Sequence, residues 1–247
     1  MVRILVDISH NERFTQIPST IFNHEYTFEF LYPGMHLPEY EILREYDLII
    51  MGEIIPAKNE MDHLFLKTEI AILKDYVKNG GNLLISTSSG GDFDYVREDD
   101  DIEDYGSIRA LSSITGVKRY WWGEIFHPSK KRHLTNPEDL LFSKFPNHPI
   151  FDGINQILLA DTTFLEPSTV FSPEILFSTL PGTMFRYFID DTEECVDDVP
   201  LITYRKLGDG ASLIIGSTLF MSTQEQYGST QFDNAKFFFN IVNWLLN

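Results

Sequence analysis

The sequence predicts an α/β protein with a mostly parallel sheet between helices and extra carboxyl-terminal antiparallel strands. Continuous apolar strands alternate with helical patterns over residues 1–91, which is typical of a parallel sheet covered on both faces. Later apolar stretches flank the hairpin turn Gly208-Asp209-Gly210. The 247 residues are 43% hydrophobic, which is enough for a packed core. We therefore expect a single domain over residues 1–247 with a flavodoxin-like sheet.

The first third of the chain alternates strands and helices. Leu66, Ile70, Leu73 and Val77 recur at helical spacing. That helix should end at residues 79–81, because a glycine adopts the left-handed C-cap conformation easily. The predicted strands are 3–9, 26–31, 47–51 and 83–86, and shorter helices are expected from Pro18 to about residue 23 and over 39–45.

The rest of the chain is richer in predicted strands. Ile108, Leu111 and Ile114 indicate a helix that ends at Gly116, and Asp233 should cap a final apolar helix. Residues 136–145 contain no clear pattern and are predicted to be a loop. The extended segments are 117–126, 156–160, 175–179, 184–188, 201–206 and 211–216.

The composition excludes several classes of partner. The chain has 19 basic and 37 acidic side chains and a net charge of −18, which disfavours nucleic acid and anionic lipid surfaces. No run approaches the ~18 apolar residues of a membrane span, and the amino terminus lacks the pattern of a signal peptide. We therefore predict a cytoplasmic protein without direct membrane insertion. The single cysteine, Cys195, excludes an internal disulfide and a thiolate metal cluster.

The acidic side chains concentrate in two segments. Residues 92–104 hold eight acids and one arginine, and residues 190–198 hold six acids and no base. Neither segment has the spacing of a calcium-binding loop. Blocks of like charge are usually solvated, so we expect two exposed loops, no metal and no cofactor.

One stretch marks the expected site. A buried strand runs into the turn 86–91, Ser-Thr-Ser-Ser-Gly-Gly, and ligands of open α/β sheets bind outside the carboxyl ends of strands. Neighbouring strand exits should add hydroxyl, amide and acidic groups, which suit a small polyhydroxy ligand. Aromatic rings from 120–122 should supply a flat apolar face. The predicted ligand-binding residues are Ser9, His10, Asn11, Glu12, Glu53, Thr87, Ser88, Ser89, Gly90, Gly91, Trp121 and Trp122.

The order of several motifs resembles a known family. The motifs are residues 4–12, the join 73–82, Phe126-His127-Pro128, residues 147–154, 208–217, and Asp233-Asn234-Ala235 with Asn240 and Trp244-Leu245. Together they resemble the GIFT domain of an intraflagellar transport subunit and of gliding-motility transporter proteins. The resemblance spans most of the chain. It implies the class I glutamine amidotransferase-like fold and a binding or assembly module rather than a proven enzyme.

The catalytic residues of the amidotransferase-like group are missing. The group carries a cysteine nucleophile on the turn that corresponds to residues 86–91, and this chain has serines there. Its histidine and glutamate would follow the last sheet strand, where residues 216–221 contain neither. Cys195 lies among carboxylates that should raise the pKa of its thiol and quench its reactivity. We therefore expect a non-catalytic ligand-binding module, with carbohydrate as the candidate ligand.

Two alternatives stay open. The first is an assembly module, in which residues 120–122 and the edge strands of the late hairpin bind a protein partner or a second copy. The second is a serine hydrolase. Its nucleophile would be Ser88 or Ser89, its base His10 or His127, and its orienting acid Asp7 or Glu53.

Overall fold

The computed structural model describes residues 1–10, 12–13, 17, 25–54, 65–89, 111–121 and 123–247. The helix predicted after Pro18 and the acidic segment 92–104 lie outside these residues. The described strands are β1 (Val2–Asp7), β2 (Glu12–Arg13), β3 (Tyr26–Leu31), β4 (Leu48–Met51), β5 (Glu53–Ile54), β6 (Asn82–Ser86), β7 (Val117–Tyr120), β8 (Gly123–Phe126), β9 (Leu140–Phe142), β10 (Ile157–Leu159), β11 (Leu165–Pro167), β12 (Glu174–Ser178), β13 (Met184–Tyr187), β14 (Glu193–Cys195), β15 (Pro200–Leu207) and β16 (Gly210–Ile215). The described helices are α1 (Tyr40–Leu43), α2 (Lys67–Lys78), α3 (Ser112–Thr115) and α4 (Asn234–Leu246).

The main sheet has the strand order β12-β15-β16-β6-β4-β1-β3. Neighbouring strands from β3 to β16 run parallel. Strand β15 is antiparallel to β16, and β12 is antiparallel to β15. This arrangement confirms the α/β class and the mostly parallel sheet with antiparallel strands near the carboxyl end.

The main sheet is buried on both faces. Along β4, Leu48 and Ile50 belong to the apolar cluster that includes Phe237 and Phe238 of α4. The intervening Ile49 belongs to the opposite cluster, which includes residues of α2. Side chains of a strand alternate between faces, so a continuous apolar strand requires a covering layer on each side. The helices α4 and α2 contribute to these two layers.

Five short strands lie where the sequence predicted none: β2, β5, β9, β11 and β14. The loop predicted over 136–145 contains β9, which pairs with β10 through Leu140 opposite Leu159. The acidic segment 190–198 contains β14, which pairs with β13 and is exposed throughout. The prediction of a loop was therefore wrong for β9 and β14, while the predicted exposure of β14 is confirmed. A three-residue strand is too short to show the alternation of apolar and polar residues that predicts a strand. Such a strand forms through its pairing with a neighbouring strand in the tertiary structure.

Helix α4 begins where predicted, with Asp233 at its N-cap position, but the Asp233 side chain makes no capping hydrogen bond. The carboxylate of Asp233 instead accepts hydrogen bonds from the N–H groups of Asn155 and Gln156, at 2.7 and 3.0 Å. The buried Asn234 carboxamide accepts from Leu158 N at 2.9 Å and donates to Leu158 O at 3.0 Å. Asn240 donates to Asp152 O at 3.0 Å. The carboxyl-terminal motif and residues 147–154, both part of the family resemblance, therefore contact each other. These contacts join α4 to the segment before β10.

Glycines allow α2 to pack closely against β16. A Cβ atom on Gly210 would lie 2.0 Å from the carbonyl oxygen of Gly81 and 2.4 Å from that of Val77. A Cβ atom on Gly81 would lie 2.2 Å from the Tyr76 ring. The glycines of the two motifs 73–82 and 208–217 therefore allow the end of α2 and the start of β16 to lie in direct contact.

Gly210→Ala should destabilise the protein by about 2 kcal/mol, because the methyl group meets backbone atoms that cannot rotate away. Gly34→Ala is the matched control: a Cβ atom there has nothing within 4 Å, so it should cost only about 1 kcal/mol for a left-handed backbone. Urea unfolding of both variants measures the difference. Equal losses would contradict the close approach.

None of the helices that the structure describes has the length and apolar character needed to cross a membrane.

Candidate functional site

The strand exits that carry the predicted site lie side by side. Strands β6, β4 and β1 are consecutive neighbours in the sheet, so their carboxyl ends share one edge, as the sequence predicts. The hydroxyl and imidazole groups at this edge are buried. The side chains concerned are Ser9, His10, Thr87, Ser88 and Ser89.

The exit of β1 forms a tight network around the buried carboxylate of Asp7. One oxygen accepts hydrogen bonds from Ser9 N at 2.9 Å and Ser9 Oγ at 2.7 Å. The other oxygen lies 2.8 Å from His10 Nδ1. The His10 ring stacks on Phe65, with centroids 4.0 Å apart. Ser9 and His10 are thus held by the fold at positions where the sequence placed ligand contacts.

Glu69, which the sequence predictions overlooked, completes this network from α2. Its carboxylate lies 3.4 Å from His10 Nε2 and accepts from Leu66 N at 2.8 Å and Leu37 N at 3.0 Å. Burial raises the pKa of this carboxyl, but the hydrogen bonds from His10, Leu66 and Leu37 outweigh burial and lower the pKa to about 2. Carboxylates of Asp7 and Glu69 therefore face the two ring nitrogens of His10.

The exits of β6 and β16 form a second buried cluster. The hydroxyl of Thr218 lies 3.1 Å from the carbonyl oxygen of Thr87 and 3.2 Å from Ser86 Oγ. Ser217 donates to Ala160 O at 2.9 Å. The family resemblance noted in the sequence implies that a catalytic histidine and glutamate would follow β16. Here hydroxyl side chains occupy that position and bind the backbone.

Ser89 binds a carboxylate from a third segment. Its hydroxyl donates to the side chain of Asp161, and its backbone N–H donates to Asp161 O at 3.2 Å. Asp161 is half-buried and has a φ of 52°, an uncommon conformation for a residue other than glycine. Asp161 directly follows the predicted strand 156–160, so the strand-exit rule could have identified it.

Trp121 lies close to this pair. Ser89 O accepts from Gly123 N at 3.1 Å, and Trp121 O accepts from Thr163 Oγ1 at 2.6 Å. The Trp121 ring is half-buried and contacts Phe164 and Tyr187, each with centroids 5.9 Å apart. The backbone of Ser89 is therefore bonded to the segment that contains Trp121, another of the predicted ligand contacts.

His127 is engaged by the backbone. Its Nε2 lies 3.2 Å from Pro181 O, and its Nδ1 accepts from Ser129 N at 3.1 Å. The described hydrogen bond of the Ser89 hydroxyl goes to Asp161, and neither His10 nor His127 is its partner. A nucleophile requires a base within hydrogen-bond reach, and these contacts supply none for Ser89.

The remaining predicted residues are placed in part. Glu12 and Glu53 belong to β2 and β5, which pair antiparallel. Asn11, Gly90, Gly91 and Trp122 lie outside the described residues. Cys195 is exposed on β14, where a hydrogen bond with the Asp197 side chain raises the pKa of its thiol. This direction agrees with the sequence expectation.

Comparison with known proteins shows a shared fold. The mmIFT52 N-terminal domain is 18% identical, with 98% of this chain and 96% of that chain covered and a TM-score of 0.69. The cytoplasmic protein STM1381 of Salmonella typhimurium LT2 is 15% identical, with 99% of each chain covered and a TM-score of 0.54. A putative ThuA-like protein of Bacteroides uniformis is 14% identical, with 99% and 91% covered and a TM-score of 0.55.

No protein-family model and no curated protein sequence matches this chain. At the identities of the structural neighbours, the likeness concerns the fold alone. The chain shares the fold of the mmIFT52 N-terminal domain and of a ThuA-like protein, and the resemblance inferred from the sequence is confirmed at that level.

The Glu69 network should make stability depend on acid. The folded pKa of about 2 lies below the ordinary 4.5, so Glu69 stabilises the fold by about 3 kcal/mol above pH 4.5. This contribution should fall as the pH drops from 4.5 towards 2, and Glu69→Gln should remove it. Urea unfolding at a series of pH values tests this, with Glu225→Gln as the control for charge removal. If Glu69→Gln loses as much stability as the wild type between pH 4.5 and 2, the prediction is contradicted.

Proposed function

We propose that this protein is a non-catalytic binding module whose ligand is a small polyhydroxy compound, with carbohydrate as the leading class. The observation that carries the proposal is the Ser89–Asp161 pair, whose Ser89 carbonyl accepts from Gly123 N, two residues after the half-buried Trp121. This chain lacks the cysteine, histidine and glutamate that the family resemblance implies for catalysis, which supports a non-catalytic role. The ligand itself is inferred from the chemistry of these three side chains.

The chemistry of the pair favours binding over hydrolysis. The Ser89 hydroxyl donates its hydrogen bond to the Asp161 carboxylate, whereas the hydrolase alternative requires a histidine base as the partner of the serine. A carboxylate has about four acceptor sites, so Asp161 retains acceptor capacity beyond the bond to Ser89. Ligand hydroxyl groups are suitable donors to those remaining sites.

Two neighbouring features suit a sugar. The buried hydroxyl of Thr162 has no hydrogen-bond partner in the described part of the chain, and it directly follows Asp161. An aromatic ring beside a few polar groups is the usual composition of a small-molecule site. Trp121 supplies such a ring, and it packs on Phe164 and Tyr187, which holds it in place.

Asp161→Asn should weaken sugar binding by about tenfold, because a charged acceptor becomes a neutral one. Asparagine also tolerates the left-handed backbone at this position. Asp198→Asn is a matched control, since Asp198 is exposed and has a similar φ of 58°. Isothermal titration of a monosaccharide and disaccharide panel measures the affinities. Equal weakening by both variants, or no binding to the wild type, would contradict the proposal.

The same preparations address the hydrolase alternative. A general esterase and amidase assay of the wild type should show no turnover above background. Turnover that Ser88→Ala or Ser89→Ala abolishes would overturn the non-catalytic assignment.

A specific observation favours assembly as a second candidate. Phe30 and Tyr32, at the end of edge strand β3, are 38% and 56% exposed. Their rings stack with centroids 6.2 Å apart, and Met35 Sδ lies 3.4 Å from Tyr32 N. Exposed aromatic residues that stand together are typical of interaction surfaces. We propose that this aromatic patch, made of Phe30, Tyr32 and Met35, binds a second copy of the chain.

Self-association through the aromatic patch should strengthen with salt, because salt screens the repulsion between two chains of charge −18. The double variant Phe30→Ser and Tyr32→Ser should remain monomeric under the same conditions. Val170→Ser, at a residue that is 79% exposed, is the control. Sedimentation velocity at low and high salt distinguishes them. A wild type that is monomeric in both conditions would contradict self-assembly.

We propose further that residues 1–247 form one domain with flavodoxin-like strand order. Numbered among themselves along the chain, the five parallel strands run 2-1-3-4-5 across the sheet. Strand β16 lies between β15 and β6. It therefore joins the antiparallel strands from the end of the chain to the parallel strands from its beginning. The acidic composition and the neighbouring Salmonella protein, described as cytoplasmic, support a cytoplasmic location.

A further inference from the structure

An arginine beside the end strand β12 has no acidic partner. Strand β12 ends the described main sheet, at the opposite end of the strand order from β3 and its aromatic patch. Arg205 lies on the adjacent strand β15 and is half-buried. Arg3, Arg44 and Arg186 each pair with a glutamate, whereas no carboxylate in the described part of the chain pairs with Arg205. In a chain of net charge −18, this arginine is available to an acid from outside.

The guanidinium of Arg205 uses part of its hydrogen-bonding capacity. Its Nη1 donates to Ser113 O at 2.5 Å and to Ile114 O at 3.0 Å. A guanidinium has five N–H donors, and those on Nε and Nη2 make no hydrogen bond to the residues that the structure describes. Two parallel N–H groups of this kind bind both oxygens of a carboxylate. Burial lowers the pKa of Arg205, and a bound carboxylate would oppose that change.

Packing holds the Arg205 side chain in place. Its Cζ lies over the Phe171 ring, 4.9 Å from the ring centroid. A Cβ atom on Gly116 would lie 3.0 Å from Arg205 Cδ and 3.0 Å from Pro173, so the stem of the arginine occupies a narrow space. An arginine that is already ordered loses less side-chain entropy when it binds a ligand. The fold therefore presents these donors in one fixed geometry.

Apolar side chains are exposed on the segment that packs against Arg205. Val170 is 79% exposed and Ile175 is 50% exposed. Val170 belongs to the turn before β12, in which Ser168 Oγ accepts from the N–H groups of Val170 and Phe171 at 3.2 and 3.3 Å. Ile175 lies on β12 itself. Exposed apolar side chains that stand together are typical of interaction surfaces.

We propose that the Arg205 corner, made of Val170, Phe171, Ile175 and Arg205, binds an extended segment of a partner protein in which an acidic side chain is flanked by apolar residues. The carboxylate accepts from Nε and Nη2 of Arg205, and the flanking residues cover Val170 and Ile175. An extended segment can also pair with an end strand such as β12 through its backbone, which a single terminal carboxylate cannot do. The proposal depends on neither the sugar site nor the aromatic patch.

The probe is the peptide acetyl-Thr-Val-Glu-Val-Thr-amide, in which glutamate carries the only charge. One comparison peptide has glutamine in its place, and a second is this glutamine peptide with a free carboxyl terminus. NMR shifts of the Arg205 Nε–H group and the Val170 methyl groups locate binding, and titration calorimetry measures it. We expect millimolar binding of the probe and about fivefold weaker binding of both comparison peptides.

Either comparison peptide can overturn the proposal. If the glutamine peptide binds as tightly as the probe, the corner does not recognise a carboxylate. If only the peptide with the free carboxyl terminus matches the probe, the corner recognises a chain terminus rather than an internal acidic segment.

Two variants separate charge from geometry. Arg205→Lys keeps the charge but loses the planar pair of donors, and it should weaken probe binding about threefold. Arg205→Gln removes the charge as well and should weaken binding about tenfold. Arg44→Gln removes an exposed arginine that pairs with Glu41, so it controls for net charge. Equal weakening by Arg44→Gln and Arg205→Gln would refute a specific site.

If Arg205→Gln fails to fold because α3 loses its hydrogen bonds, Val170→Ser replaces it. This substitution alters an exposed side chain and should weaken probe binding about twofold. Ile42→Ser, at a residue of α1 that is 54% exposed, is its control and should leave the affinity unchanged. Unchanged affinity in Val170→Ser would count against the proposal. Self-association of the protein that Arg205→Lys abolishes would assign the corner to a second copy and overturn the proposal.

Discussion

The structure depends on hydrogen bonding of the polar groups buried at the carboxyl ends of the parallel strands. A buried polar group without a partner costs about 1–3 kcal/mol. Asp7 therefore binds Ser9 and His10, Thr218 lies against Thr87, and Ser89 binds Asp161. These bonds connect strand exits to α2, to the segment after β16 and to the segment after β10. The same contacts that stabilise the fold hold the functional groups in place.

This use of polar groups differs from what the resemblance to the amidotransferase-like group implies for the same positions. An enzyme of the amidotransferase-like group exposes a nucleophile on the turn after the equivalent strand. Here the turn presents buried serines, and the position of the acid–base partners holds Ser217 and Thr218, which bind the backbone. Asp161 is half-buried, whereas Ser89, which donates to it, is buried.

Much of the fold followed from local patterns. Strand β3 has the predicted bounds, and α2, β4 and β16 lie within one or two residues of theirs, because long periodic segments reveal which face is buried. Strand β9 was missed because it has three residues and exists through pairing with β10. Glu69 was missed as a site residue because, in the sequence, it belongs to the first turn of α2, where an acid is ordinary.

The sequence alone determined the alternation of strands and helices, the absence of the amidotransferase residues and the acidic character of the chain. These follow from residue types and short spacings, which a sequence displays directly. Only the tertiary structure decided which groups meet. Ser89 and Asp161 are 72 residues apart, and His10 and Glu69 are 59 residues apart. Such contacts depend on the order of strands and on the packing of helices, which no local pattern encodes.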